Sequence, residues 1–508
     1  MTLDAVVIGS GPNGLAAAVA LARAGASVEV IEGHPEPGGG TRTTELTLPG
    51  FHHDVCSACH PMGILSPFFR ELPLEAHGLR WVQPPLSVAH PLDGQPAVRF
   101  PKDLREMAEG LGPDGDRYRR LVEPHLADPH GLLGDLLAPL GIPSHPIRMA
   151  RFGLSALRSA SGLARSRFRG ERARAFFAGC AAHSILPLET PLTAAMGLVF
   201  AVCGHVEEWP VAEGGSAAIH RALVSLLESE GGRVTTGRWV RSLADLPDAR
   251  VVLFDTSPSV MAAVAGPLLP AAYLRRLDRF RYGPGVFKVD WALDGPIPWS
   301  DPEVAKASTV HVGGTLDEIA ASERAMFTGE HSERPFILLC QQSHFDPSRA
   351  PEGKHTGYAY CHVPSGSTVD MTAAIEAQVE RFAPGFRDIV LARHTMNARA
   401  FEAYNPAWVG GAITGGSADA TQLFTRPVAR VDPYSTPNPR VFLCSASTPP
   451  GGGVHGMCGY HAAQSALRAL GRVGPEPLPI PRAAEIRARN RTDVALVSGR
   501  GALDHEAL

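Results

Sequence analysis

Apolar and polar positions divide this chain into short buried runs separated by glycine. Ala5-Val6-Val7-Ile8 is an unbroken apolar run ending on Gly9, the pattern of a parallel strand covered on both faces. Gly14 to Ala24 predicts an alanine-rich helix stopped by Gly25, a residue suited to a left-handed cap. Ser27 to Ile31 predicts a second strand, completing the start of a βαβ unit. From about Phe51 to Pro210 the pattern mixes loops with helical stretches. Gly231-Arg233-Val234 and Val251-Val252-Leu253-Phe254-Asp255 predict further strands of an α/β sheet. Residues 283–300 and 335–365 are richer in β-branched and aromatic side chains and predict an antiparallel sheet. Val441-Phe442-Leu443 predicts one more buried strand, followed by a glycine-rich turn and a helix from about Gly456. From Val473 onward prolines and then charges predict a surface extension.

Composition narrows the class. The 508 residues hold 53 Gly and 45 Pro, together well above the roughly 12% of average usage, and 19% are charged. A coiled coil, a collagen-like fibre and an acidic disordered chain are excluded. A formal net charge of −4 gives a nucleic-acid partner no electrostatic support. Eight cysteines form no disulfide framework and suit a reducing compartment. The N-terminus lacks the basic region of a signal peptide, and the longest apolar run, Leu192 to Gly204, is too short to span a bilayer. The expectation is a soluble cytoplasmic protein, not secreted.

The chemistry begins at Gly9-Ser10-Gly11-Pro12-Asn13-Gly14, which follows a strand and opens a helix. Gly9 permits the turn, Gly11 admits a pyrophosphate, Gly14 brings helix and strand together, and Pro12 and Asn13 complete the loop. The helix dipole favours phosphate there. Glu32, ending the second strand, is placed to accept hydrogen bonds from a ribose. Gly39-Gly40-Thr41-Arg42-Thr43 then predicts a second loop over the pyrophosphate, with Arg42 giving a charge-assisted contact. In these residues the chain resembles FAD-binding oxidoreductases of the glutathione reductase and amine oxidase type.

The segment Leu443 to Ala463 resembles the C-terminal flavin-binding segment of phytoene desaturase-like proteins. The resemblance implies that Gly452, Gly453, Val454, Gly456 and Met457 lie against the ribityl chain and isoalloxazine of FAD. Trp209 to Ser216, Tyr282 to Asp290, and the run from Asn405-Pro406 to Arg426-Pro427 are similar to other blocks of that family, and the likeness covers about residues 4–470. It implies an α/β fold: a Rossmann-like FAD-binding domain, a three-layer unit on a parallel sheet, formed by 1–80, 205–265 and 425–472. An inserted α+β substrate domain with a mixed or antiparallel sheet is formed by 81–204 and 266–424, and 473–508 is the C-terminal extension. The implied reaction removes two hydrogens from a small apolar organic substrate, by C–C desaturation, with hydride passing to flavin N5. The alternatives are C–N oxidation of the flavin amine oxidase kind and a catalytically silent flavin-binding scaffold. Only one strand–GxGxxG–helix unit is present, with no Cys pair of the disulfide reductase kind. Electrons are therefore expected to leave to oxygen, a quinone or another acceptor.

Lys288, in Phe287-Lys288-Val289, is similar to the amine oxidase lysine that holds a water facing N5; the plainer reading is a lysine on an edge strand. His455 and His461 flank the flavin segment as candidate proton carriers or as residues that position backbone. Trp209, Tyr404 and Tyr460 are candidate substrate-lining residues, with core packing as the other reading. Cys56-Ser57-Ala58-Cys59-His60 matches the c-type haem attachment string, but haem attachment requires export, so these cysteines are read as packing or incidental. No metal site is expected. Arg148 to Arg174 is rich in arginine, and Arg151, Arg158, Arg165 and Arg172 recur every seven residues. A basic helical face of this kind suits either solvent or peripheral contact with anionic lipid. A homo-oligomer is compatible with everything above.

Overall fold

The computed structural model describes residues 2–472, so the expected extension at 473–508 lies outside the described residues. Five parallel strands form one sheet in the order Val441–Leu443, Ala249–Phe254, Leu3–Ile8, Val28–Ile31, Arg233–Thr235. Strand alternation sends Ala5 and Val7 to one face and Val6 and Ile8 to the other. The first face is covered by helices Pro12–Arg23, Ala217–Ser229 and Met457–Ala469. The second is covered by Pro258–Ala265 and Ala271–Leu277. Three layers result, because strands apolar on both faces must be covered on both. Helix Ala271–Leu277 falls just past the expected boundary at 265, yet it packs Tyr273 and Leu277 into the core of this sheet.

The second sheet has seven strands in the order Val390–Met396, Gly285–Leu293, His355–Val363, Ile337–Cys340, Ala307–Val312, Leu86–Leu92, Gln95–Phe100. Ala307–Val312 pairs in parallel with Leu86–Leu92, and the other pairings are antiparallel, so the sheet is mixed. Phe287, Val289 and Trp291 face a core closed by helix Thr372–Phe382. The helices between residues 115 and 207 pack against Val88, Phe100 and Leu338. The expected α/β architecture, a Rossmann-like parallel sheet beside a mixed-sheet unit, is what the chain adopts.

The arginine-rich stretch does not form one helix. Ser159 caps a new helix at Ala160 by accepting from Gly162 N–H, and another starts after Gly170, so the seven-residue recurrence is spread over three elements. Arg148 pairs with Asp128, Arg165 pairs with Asp317, and Arg172 donates to the carbonyls of Pro96 and Ala97. Beside exposed arginines such as Arg151, the region exposes large apolar side chains: Ile142 is 95% exposed, Ile147 88% and Leu154 78%. Among the described residues, no helix is long and apolar enough to cross a membrane.

Candidate active site

A cavity of about 370 Å³ reaches from the C-terminal ends of the parallel strands, at Ile8 and Ile31, to the mixed sheet at Thr309, Leu338, Cys340, Tyr358 and Tyr360. Its first end is built by close backbone approach. A Cβ on Gly9, which sits at φ +96°, would lie 2.6 Å from the Asp255 carbonyl oxygen; one on Gly14 would lie 2.2 Å from that of Gly9. The following helix starts at Pro12 with no side-chain cap and no acid in its first turn, leaving its positive end for an anion. Gly39 closes from the other side, 3.0 Å from the Gly11 Cα when measured from the Cβ it lacks.

The two charged residues expected here sit differently from the expectation. Glu32 lines the cavity, but its carboxylate already accepts from Ser10 N–H and Oγ–H at 2.9 and 2.6 Å, from His34 N–H at 2.8 Å and from Arg42 at 3.3 Å. A carboxylate offers about four acceptor sites, so a ribose would displace one of these partners. Arg42 is buried and donates through Nε to the Glu36 carbonyl at 2.9 Å. It also lines the cavity and ties the Gly39-Gly40 loop to Glu32.

Asp255 is a site residue that the sequence pattern did not single out. It follows the strand Ala249–Phe254, and its Oδ2 accepts from Gly14 N–H at 2.8 Å, beneath the glycine loop. Burial and the nearby charge of Glu32 push its carboxyl up to about 7, against the backbone donors of Gly14 and Gly11. The signal available in the sequence was an acid ending a parallel strand, where such folds bind ligands.

At the second end, Cys56, Ser57, Ala58, Cys59 and His60 all line the cavity, and Cys56 and Cys59 also pack against buried apolar clusters. His60 Nε2 lies 2.9 Å from Ser216 Oγ, and Ser216 Oγ–H donates to the Ser57 carbonyl at 2.6 Å. With its only proton committed, Ser216 accepts from His60 Nε2–H, which leaves His60 Nδ1 as a buried lone pair without a partner. Burial lowers His60 to about 4, so the imidazole is neutral at pH 7. Trp209 and Tyr404 both line the cavity; Trp209 packs 4.8 Å from Phe200, and Tyr404 stacks on Trp408 with the Arg42 guanidinium 5.5 Å from its ring.

Four further residues lie off the cavity wall. Tyr460 packs 4.8 Å from Phe68 in the core, because its helix turns that face towards the protein interior. Lys288 lies on an internal strand of the mixed sheet, opposite Tyr360 in register, and is ion-paired with Asp290 beneath the Tyr358 ring, 4.5 Å from its ammonium. His461 Nε2–H donates to the Leu137 carbonyl at 3.1 Å. His455 Nδ1 accepts from Met457 N–H at 3.1 Å, fixing an Nε2–H that has no partner. Of the C-terminal segment, Ser445, Ala446, Ser447, Gly453 and Val454 reach the cavity, while Gly452, Gly456 and Met457 support it from behind.

The residues fit a dinucleotide. The glycine cradle leaves room that any Cβ would fill, and Asn13 Oδ1 is a buried polar atom on the cavity wall without a partner. Residues 7–72 match the NAD(P)-binding Rossmann-like domain. The mouse pyridine nucleotide-disulfide oxidoreductase domain-containing protein 2 is 28% identical, over 92% of this chain and 94% of its own. A limonene dehydrogenase polypeptide of Castellaniella defragrans is 34% identical over 23% of this chain and 22% of its own. Among solved structures, cyclohexylamine oxidase from Brevibacterium oxydans superposes with a TM-score of 0.56 at 15% identity, over 92% of this chain and 99% of its own. The fold is that of the FAD-dependent oxidoreductases. Among the described residues, no group of three or more His, Cys, Asp or Glu is arranged to hold a metal ion.

Proposed function

We propose that the protein is an FAD-dependent oxidoreductase that desaturates a C–C bond of an apolar organic molecule. The observation that carries this reading is the distribution of charge on the cavity wall. Its two carboxylates, Glu32 and Asp255, both belong to the nucleotide end. The other end presents Met62, Phe200, Trp209, Leu338, Tyr358 and Tyr360 without an acid to pair with an ammonium. Limonene dehydrogenase, whose name denotes a hydrocarbon substrate, is consistent with that chemistry. The likeness to cyclohexylamine oxidase favours the runner-up, C–N oxidation, but Lys288, which suggested it, is locked to Asp290 off the cavity wall.

Gly9, Ser10, Gly11, Asn13, Gly39 and Gly40 would hold the diphosphate, and Gly453 and Val454 would lie along the flavin. Bound there, FAD supplies a two-electron hydride acceptor. The chain itself excludes water with its aromatic wall and offers His60 Nδ1 as proton acceptor. Ser216 and Ser57 hold that imidazole in the required tautomer. Exposed Ile142, Ile147 and Leu154, with Arg151 among them, support contact with an anionic membrane as the source of an apolar substrate.

Anaerobic bleaching of the flavin tests the reading. Terpenoid or polyene hydrocarbons are expected to bleach it and primary amines to leave it yellow. Bleaching by amines alone would replace desaturation with amine oxidation, and a purified protein that takes up no flavin would sink both.

A further inference from the structure

Cys59 and Cys340 are 281 residues apart in the chain, yet their sulfurs are 3.7 Å apart on the wall of the cavity. Cys59 follows the Cys56-Ser57-Ala58 loop, and Cys340 ends the strand Ile337–Cys340. Thr309, on the neighbouring strand, donates its hydroxyl to Cys59 Sγ at 3.1 Å. Closing the gap to the roughly 2.05 Å of a disulfide requires the sulfurs to approach by under 2 Å.

We infer that Cys59 and Cys340 form a redox-active dithiol that a small hydroperoxide entering the cavity oxidises to a disulfide. The Cys59 sulfur attacks one peroxide oxygen: an S–O bond forms, the O–O bond breaks, and the departing oxygen leaves as water or an alcohol with the thiol proton. Cys340 sulfur then attacks the Cys59 sulfenic acid. An S–S bond forms, the S–O bond breaks, and the hydroxyl leaves as water with the Cys340 proton. Two thiols lose two electrons, and the peroxide gains them. The assignment of roles follows from the surroundings. The Cys340 thiol and the Thr309 hydroxyl hold Cys59 below the ordinary thiol range against burial, whereas Cys59 and burial push Cys340 well up. Hydrogen peroxide, the smallest member of the class, is also what oxygen would yield on reoxidising a flavin here; only this choice of oxidant touches the function proposed above. The thiol chemistry stands without it.

The test adds hydrogen peroxide to the purified, fully reduced protein and follows the intact mass and its digest. A loss of 2 Da, with a cross-linked peptide pair joining Cys59 to Cys340, is expected. The loss should persist in Cys56→Ala, disappear in Cys59→Ser and Cys340→Ser, and be reversed by dithiothreitol. A Cys56–Cys59 bridge would overturn the inference. So would oxygen addition on Cys59 without a bridge, or thiols that stay unchanged while those of the urea-unfolded chain react. Each of these readouts is independent of turnover, so failure here is distinguishable from failure of the substrate reading.

Discussion

Lys288 Nζ lies 2.5 and 2.6 Å from the two carboxylate oxygens of Asp290, and both side chains are almost fully buried. Burial works against the Asp290 charge, but Lys288 and the two histidines nearby hold the carboxyl below its ordinary range. His53 and His394 stand 3.7 and 3.5 Å from the same carboxylate. Breaking such a pair from one side leaves an uncompensated buried charge, which costs about 3–5 kcal/mol. Lys288→Met is therefore expected to lower urea-unfolding stability by that amount, and Lys288→Met with Asp290→Leu to recover most of it. If Lys288→Met instead stays stable and blocks flavin reduction, the lysine belongs to the chemistry.

His60 gives the opposite signature. Its Nδ1 lone pair is buried and unpartnered, and its ring rests on Ser216 rather than on the glycine cradle. His60→Ala is expected to retain flavin while slowing substrate-driven anaerobic reduction by about 10²–10⁴-fold, the usual range for removal of a positioned proton acceptor. Ser216→Ala should slow it less, because it frees the tautomer without removing the nitrogen. Stopped-flow absorbance decides the matter, and an unchanged rate in His60→Ala would dismiss the assignment.

The nucleotide half of the site was legible because its signals are local. Strand, glycine turn, helix and second strand occupy residues 3–31 in unbroken order, and each step is dictated by apolar runs and by glycines where a Cβ cannot fit. The substrate half was not. Met457 and Tyr460 were expected near ligand, but their helix packs against Pro12–Arg23 so closely that a Cβ on Gly459 would lie 1.8 Å from the Asn13 carbonyl oxygen. Nothing within the segment itself says which face makes that contact. Asp290 was visible two residues from Lys288, and strand alternation alone puts both on one face. Cys59 and Cys340 meet only through tertiary structure, so no local spacing could pair them.

The region 140–157 is the place to look for membrane contact. Ile147, Arg151 and Leu154 recur at helical spacing on the exposed side of Pro146–Ala156, with Ile142 in the preceding loop. Burying several large aliphatic side chains at an interface is worth several kcal/mol, and anionic lipid adds attraction to arginine. The protein is expected to co-sediment with vesicles containing anionic phospholipid more than with neutral ones. Ile147→Glu with Leu154→Glu should release it while leaving the folded state intact, since neither side chain is buried. Equal recovery of wild type and variant in the supernatant would show that this face serves solvent alone.

Asp255 makes cofactor binding sensitive to pH. Its carboxyl titrates at about 7 in the folded chain, above its ordinary value of 3.8, because burial and Glu32 disfavour the charge. A raised value means that the folded state holds the extra proton. The stabilisation is complete below about pH 4 and is lost as pH rises through 7, a swing of up to about 4 kcal/mol for a shift of some three units. Diphosphate charge beside Gly9 and Gly11 would raise the carboxyl further, so binding takes up a proton. FAD affinity should therefore fall by up to tenfold per pH unit above 7. Asp255→Asn keeps an acceptor for Gly14 N–H and carries no charge, so its affinity should be level from pH 6 to 8 and tighter than wild type at pH 8. Quenching of flavin fluorescence at pH 6, 7 and 8 measures both proteins. A wild-type affinity that is level across this range would mean that Asp255 keeps a single protonation state beside the cofactor, and the proposed coupling would be wrong.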